Sequence, residues 1–139
     1  MPHLVLHGQI AQKKKIKLYV RKLEIALGIN RMWSKIILLN FRKEIHGLYG
    51  NCWGDEKEGY VEINIAKTLY GEPIPFEEIM STLAHEMVHA KQYFRKELTG
   101  YGETTWKGRN AAGYKYENQP WEKQAHRLEP ILHQIWFGL

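Results

Sequence analysis

The sequence predicts an α+β fold, a three-stranded, mainly antiparallel sheet packed with an N-terminal helix, a long central helix and a C-terminal helix. Three observations carry this expectation. Apolar residues recur at helical spacing up to Leu27 and again from Pro75 onward, three β-branched or alternating runs fall between Lys35 and Ala66, and the links between those runs are short and polar. A chain of 139 residues suits one domain, spanning 1–139, with room for a hydrophobic core. With 44% hydrophobic and 25% charged residues, nothing in the composition points to disorder or a fibre.

Each element has a local reason. In Gln9 to Leu27 the apolar residues Ile16, Val20, Leu23 and Leu27 form one stripe, and Gly28 supplies the usual stop. "KIILLNF" is an aliphatic run, "EIHGLYGNCW" a weaker one, and "YVEINIA" alternates Val61, Ile63 and Ile65 with Glu62 and Asn64. Gly47 and Gly50 in the weaker run signal a bulge or a close backbone approach. The links at Arg42 to Lys43 and "GDEKEG" suit a meander. The strongest helix runs from Pro75 to Leu98, with Glu77 and Glu78 near its positive end and Arg95 and Lys96 near the other. Its core stripe is Ile79, Leu83, Met87, Ala90 and Phe94. A last helix begins at Pro120 with Trp121, Ala125, Leu128, Leu132 and Ile135 inward, and Pro130 is expected to kink or end it.

The single cysteine, Cys52, excludes an intrachain disulfide, and "MPHLVLHGQIAQKKK" lacks the form of a secretory signal. A reducing, cytoplasmic setting is therefore expected, and no apolar run is long enough to span a bilayer. The formal charge of +5, with Lys13, Lys14, Lys15, Lys17, Arg21 and Lys22 clustered early, raises contact with DNA. The plainer account ranks first: these cations are the solvated face of the first helix. A monomer is expected.

The chemistry concentrates in "STLAHEMVHAKQY". His85 and His89 stand four residues apart on a helix, so both rings project from one face and can hold one zinc ion. Glu86 points to the side where a bound water would sit and can take its proton, the arrangement of a catalytic base beside a metal. His85, Glu86 and His89 are expected at the polar border of the apolar stripe. Such a site needs a third ligand and an open position. No histidine lies between His89 and His126, so the third ligand is expected to be a carboxylate or a residue further along, and the last helix supplies candidates. Glu122, just inside its start, ranks before His126, which one turn later could orient a ligand or replace Glu122; His133, beyond Pro130, ranks lower.

With these residues in view, "STLAHEMVHAKQY", preceded by "NCWGDEKEGYVEINIA" and "FEEIM", resembles the SprT-like zinc metallopeptidase family, which includes the Spartan proteases of DNA-protein crosslink repair. The tail "TTWKGRNAAGYKYENQPWEKQAH" is similar to small members encoded in phage genomes, which share W-K-G and P-W-E elements. The resemblance covers roughly residues 36 to 126, and H-E-x-x-H is its specific part. It implies a zincin-like fold, a zinc-dependent peptidase acting on proteins or peptides, His85 and His89 as zinc ligands and Glu86 as base. One departure stands out: the family's third histidine, after the active helix, has no counterpart here. The expectation moves to a glutamate ligand as in gluzincins, with Glu122 of the matching type.

Between the two ligand-bearing helices, "TGYGETTWKGRNAAGYKYENQ" is rich in glycine and aromatics. Tyr114 or Tyr116 could donate to a developing oxyanion, or simply pack, while Trp106 is expected to pack. An edge strand, "YVEINIA" or the glycine-broken one before it, could align an extended peptide. A cysteine with H-E-x-x-H also suggests peptide deformylase, but that family's E-G-C signature is missing, and Cys52 in "GNCWG" reads as a small buried residue. A second class of function stays open, a DNA-associated binding module with a structural zinc and no turnover.

Overall fold

The computed structural model describes residues 1–100 and 104–139, so residues 101–103 of the long loop lie outside the described part. Among the described residues thirteen short and long segments follow one another. Strand β1 (His3–His7) leads to helix α1 (Lys13–Leu27), then β2 (Ile36–Arg42), β3 (Gly50–Asp55) and β4 (Tyr60–Ala66). A two-residue hairpin, β5 (Thr68–Leu69) and β6 (Glu72–Pro73), precedes helix α2 (Phe76–Phe94). Three more short strands, β7 (Leu98–Thr99), β8 (Thr105–Trp106) and β9 (Arg109–Asn110), a 3-10 turn at Tyr116–Asn118 and helix α3 (Pro120–Phe137) complete the chain.

The class is α+β as expected, but the main sheet has four strands in the order β1-β2-β4-β3 and is partly parallel. β1 and β4 both run parallel to β2, and β3 alone is antiparallel, pairing Cys52 with Ile63. The expected meander is thereby corrected. β4 inserts between β2 and β3 because its residues Val61, Ile63, Ile65 and Ala66 are all fully buried, which suits a central strand. "YVEINIA" is consequently no edge, and the glycine-broken β3 is. β1 was not expected at all; its apolar core, Leu4 to Leu6, is too short to announce a strand, and α1 carries the chain back across the sheet to a parallel neighbour.

All three helices share one core with the sheet. Ile16, Val20, Leu23 and Leu27 of α1 are inward as expected, joined by Tyr19, whose hydroxyl donates to the Met80 carbonyl at 3.0 Å. α2 is the central helix: besides its predicted stripe, Met80, Ala84 and Val88 are fully buried, so it is enclosed on nearly every side. α3 continues through Pro130, against expectation. Pro130 sits on the exposed side, where the carbonyl it leaves unbonded can meet water, and the following turns are anchored by buried Leu132 and Trp136, the latter packed on Tyr19 and Phe76 with centroids 5.3 and 5.7 Å away. Among the described residues no helix is long and apolar enough to cross a membrane.

The cations of α1 divide. Lys13, Lys14, Lys17 and Lys22 are exposed, as a solvated face requires. Lys15 instead lies over the Trp136 ring at 4.2 Å, and Arg21 donates to the Pro2 carbonyl and to Glu24.

Candidate metal centre

Local sequence explains how β3 and α2 come to lie so close. Gly50, Cys52 and Gly54 alternate along β3, and a Cβ added at Gly50 would sit 2.8 Å from Thr82 Cγ2, one at Gly54 2.7 Å from Tyr93 Cγ. Thr82 and Tyr93 flank the histidine pair on α2, so these glycines are required by close approach, as the sequence suggested for position 50. The glycine at 47 meets the Tyr70 hydroxyl in the same way, at 2.7 Å from an added Cβ, and has φ +77°.

His85, Glu86 and His89 are more deeply placed than the expected polar border, at 8, 6 and 4% exposure. α3 packs across α2 and brings Glu122 to the pair. Its carboxylate lies 3.0 Å from His85 Nε2 and 3.1 Å from His89 Nε2. The outer ring nitrogens are held in turn. His85 Nδ1 is 3.0 Å from Glu129, which also accepts from the Ser81 hydroxyl at 3.1 Å. His89 Nδ1 is 2.8 Å from Gln92 Oε1. The Gln92 amide has one consistent orientation, because its Nε2 donates to the Trp121 carbonyl at 3.0 Å and to Gln124 Oε1 at 2.8 Å. Gln92 Oε1 can only accept, so the proton on that side of His89 sits at Nδ1 and Nε2 is directed at Glu122.

The chemistry of this donor set fits a cation. A tetrahedral zinc with ligands at about 2.0–2.1 Å would separate them by about 3.3 Å, close to the spacing between Glu122 and the two Nε2 atoms. His85, Glu86 and His89 form one group, and His85, Glu122 and His126 a second, whose ligand atoms lie within 4.8 Å of one another, close enough to hold a metal ion. His126 is the more peripheral candidate: its Nε2 is 3.4 Å from the Tyr116 hydroxyl, and its ring stands edge-on to His85 at 4.7 Å.

The electrostatics agree. Burial works against a charge on His85, yet its hydrogen bonds to Glu122 and Glu129 hold its pKa up at about 10, and His89 is raised for the same kind of reason. Burial also opposes ionisation of Glu122, but the two histidines hold it well below the usual carboxylate range. The hydrogen bond with His85 lowers Glu129. The site collects positive charge, whether as protons or as a metal. Glu86 behaves differently: burial pushes it up to about 7, and its Oε2 is buried with no hydrogen-bond partner among the described residues.

The tyrosines separate. The Tyr116 hydroxyl reaches Glu122 at 3.4 Å, whereas Tyr114 stands against Trp121, with centroids 6.2 Å apart, and lines neither of the cavities beside the site. Trp106 packs on Trp121 as expected, at 6.1 Å. Cys52 is partly buried in a cavity wall, belongs to neither metal-holding group, and has its thiol pushed well up by burial. His133 lies 3.6 Å from Glu77, away from the centre. Gln92, Glu129 and Ser81 were not foreseen as site residues. Their spacing was visible in principle: Gln92 follows His89 by three and Glu129 follows Glu122 by seven, both on shared helical faces.

Comparison of the chain with protein-family models, with curated proteins and with solved structures finds no match.

Proposed function

We propose that this chain is a zinc-dependent endopeptidase with a zincin-like, SprT-like catalytic domain, in which His85, His89 and Glu122 hold the metal and Glu86 is the general base. One observation carries the reading: both Nε2 atoms face a single carboxylate while both Nδ1 atoms are already engaged, at 3.0 Å to Glu129 and 2.8 Å to Gln92. Such outer partners fix ring orientation and make the inner nitrogens better ligands. Glu122 ranks ahead of His126 as third ligand because it alone contacts both histidines.

Zinc, when bound, supplies Lewis-acid chemistry that polarises a substrate carbonyl and acidifies water. The remaining work belongs to the chain. Glu86, with a free buried Oε2 and a pKa near 7, takes a proton from the attacking water and returns it to the departing amine. The Tyr116 hydroxyl, at the mouth of the site, donates to the oxygen that gains negative charge. β3 is one of the two edge strands of the main sheet, and its Gly50, Asn51 and Cys52 line the cleft, so its outer backbone groups can pair with an extended peptide. Burial of α2 inside the core keeps the histidine pair rigid.

The test is metal content together with turnover. After reconstitution, wild type and His126→Ala should carry one equivalent of zinc by mass spectrometry, and His85→Ala and Glu122→Ala should not. Glu86→Gln should keep zinc and lose hydrolysis of a denatured protein substrate. A wild-type protein that takes up no zinc would end this reading. A DNA-associated module with a structural metal is the second reading, favoured by the four exposed lysines of α1. It predicts duplex affinity that falls steeply with salt and is indifferent to Glu86→Gln.

A further inference from the structure

We propose, resting on the peptidase reading, that the cleft selects a peptide with a cationic side chain on one side of the scissile bond, and that Glu78 reads the cation. Two cavities of about 400 and 330 Å³ flank the candidate metal centre. Both are lined by Leu48, Gly50, His85, Glu86 and Tyr116, so they meet at the proposed base. The larger takes in Glu78, Ser81 and Thr82 from the start of α2, the smaller His89 and Tyr93 from its later turns. Along the chain entering β3 the order is the same, from Tyr49 to Cys52. The cleft thus runs beside the edge strand, and an extended peptide there places neighbouring side chains on either side of Glu86.

The two walls differ in their carboxylates. The smaller cavity adds Cys52, Tyr93, Leu98 and Trp121 beside Asn51, His89 and Glu122, and the Glu122 carboxylate is taken up by the two histidines. The larger adds Glu78 and Glu129, and neither cavity is lined by a lysine or arginine among the described residues. Glu129 is engaged by His85 and Ser81, and the Thr82 hydroxyl donates to the Glu78 main-chain carbonyl at 3.0 Å. No hydrogen bond or ion pair among the described residues holds the Glu78 side chain, which is exposed at the cavity wall. A lysine or arginine lying along the wall would cover it with its methylenes and end its charge at Glu78. Glu86, 6% exposed with Oε2 unpartnered, lines both cavities and marks the junction as built for a ligand.

The experiment uses the zinc-loaded chain and a library of unstructured peptides, with cleavage sites read by mass spectrometry. Binding of fluorescein-labelled Lys–Leu and Glu–Leu peptides to zinc-loaded Glu86→Gln is read in parallel by anisotropy. Wild type should prefer lysine or arginine over glutamate by about tenfold or more, Glu78→Gln should remove most of that preference, and Glu78→Lys should invert it. Glu78 is exposed, so these variants should fold. Cleavage or binding with no charge preference, or a preference unmoved by Glu78→Lys, overturns the inference and leaves the peptidase reading intact. Stoichiometric zinc with no peptide bound or cleaved overturns the peptidase reading, and this inference with it.

Discussion

Replacing Gln92 by methionine tests whether the outer partners of the histidines matter to the metal. Gln92 is fully buried, and its amide makes three hydrogen bonds: to His89 Nδ1 at 2.8 Å, to the Trp121 carbonyl at 3.0 Å and to Gln124 Oε1 at 2.8 Å. Methionine has nearly the same volume, so little cavity forms and the loss is confined to polar groups left without partners. Each such group costs about 1–3 kcal/mol when buried, and with Gln124 partly exposed the sum is about 2–5 kcal/mol in the metal-free protein. The second effect is on the metal. Without an acceptor at Nδ1 the His89 tautomer is no longer set, and zinc affinity should fall about 10–100-fold. Urea unfolding of the metal-free protein reads the first effect, and competition with a chromophoric chelator reads the second. Nitrogen NMR of the imidazoles separates them, since a merely structural role leaves the His89 tautomer unchanged. Zinc affinity within about twofold of wild type, in a variant shown to be folded, would refute the positioning role. Unchanged stability would refute the network itself.

Three further outcomes are expected. Gly54→Ala should lower stability by about 1–3 kcal/mol in urea unfolding, because the added methyl meets Tyr93 Cγ at 2.7 Å and Val61 Cγ1 at 3.0 Å. In the metal-free protein, His85 is raised from 6.5 to about 10 and Glu86 from 4.5 to about 7. Both groups hold protons more tightly when folded, so the stability linked to them is complete below their unfolded values and lost as pH rises through their folded ones. The thermal midpoint should therefore fall from pH 6 to pH 9, and zinc binding at pH 7 should release protons, seen as a buffer-dependent calorimetric enthalpy. A midpoint that rises over this range contradicts the charge state inferred for the pair. Tyr116→Phe should leave zinc content unchanged and reduce kcat by about 100–1,000-fold, with KM little affected, if its hydroxyl serves the oxyanion. An unchanged kcat would return Tyr116 to a packing role.

How far the sequence reached depended on the range of the interactions involved. Helix α2 was legible because its signals are local: Pro75 before its start, acids in its first turn and an apolar residue every third or fourth position. The pairing of His85 with His89, and the placing of Glu86 beside them, follow from helical geometry alone. Glu122 was reachable by combining residue type with the expected start of α3. Strand order was not. An aliphatic run marks β2 and alternation marks β4, while the weaker run at 44–53 only overlaps the observed β3; none of these says which strands lie side by side, and only burial of β4 between two partners made it central. Pro130 shows the same limit from the other direction, since the local penalty that should end α3 is outweighed by the seating of Leu132 and Trp136.

By itself, then, the sequence determined what depends on neighbours along the chain: the helices, the apolar stripes and the spacing of two imidazoles around a carboxylate. Tertiary structure decided what depends on groups far apart: that Glu129 and Gln92 hold the outer nitrogens, that Glu122 faces both inner ones, and that β3 borders the cleft. The physical reason is directional. A hydrogen bond to one ring nitrogen requires a partner within about 3 Å at a defined angle, and no periodicity of a single segment specifies where a second helix will place it.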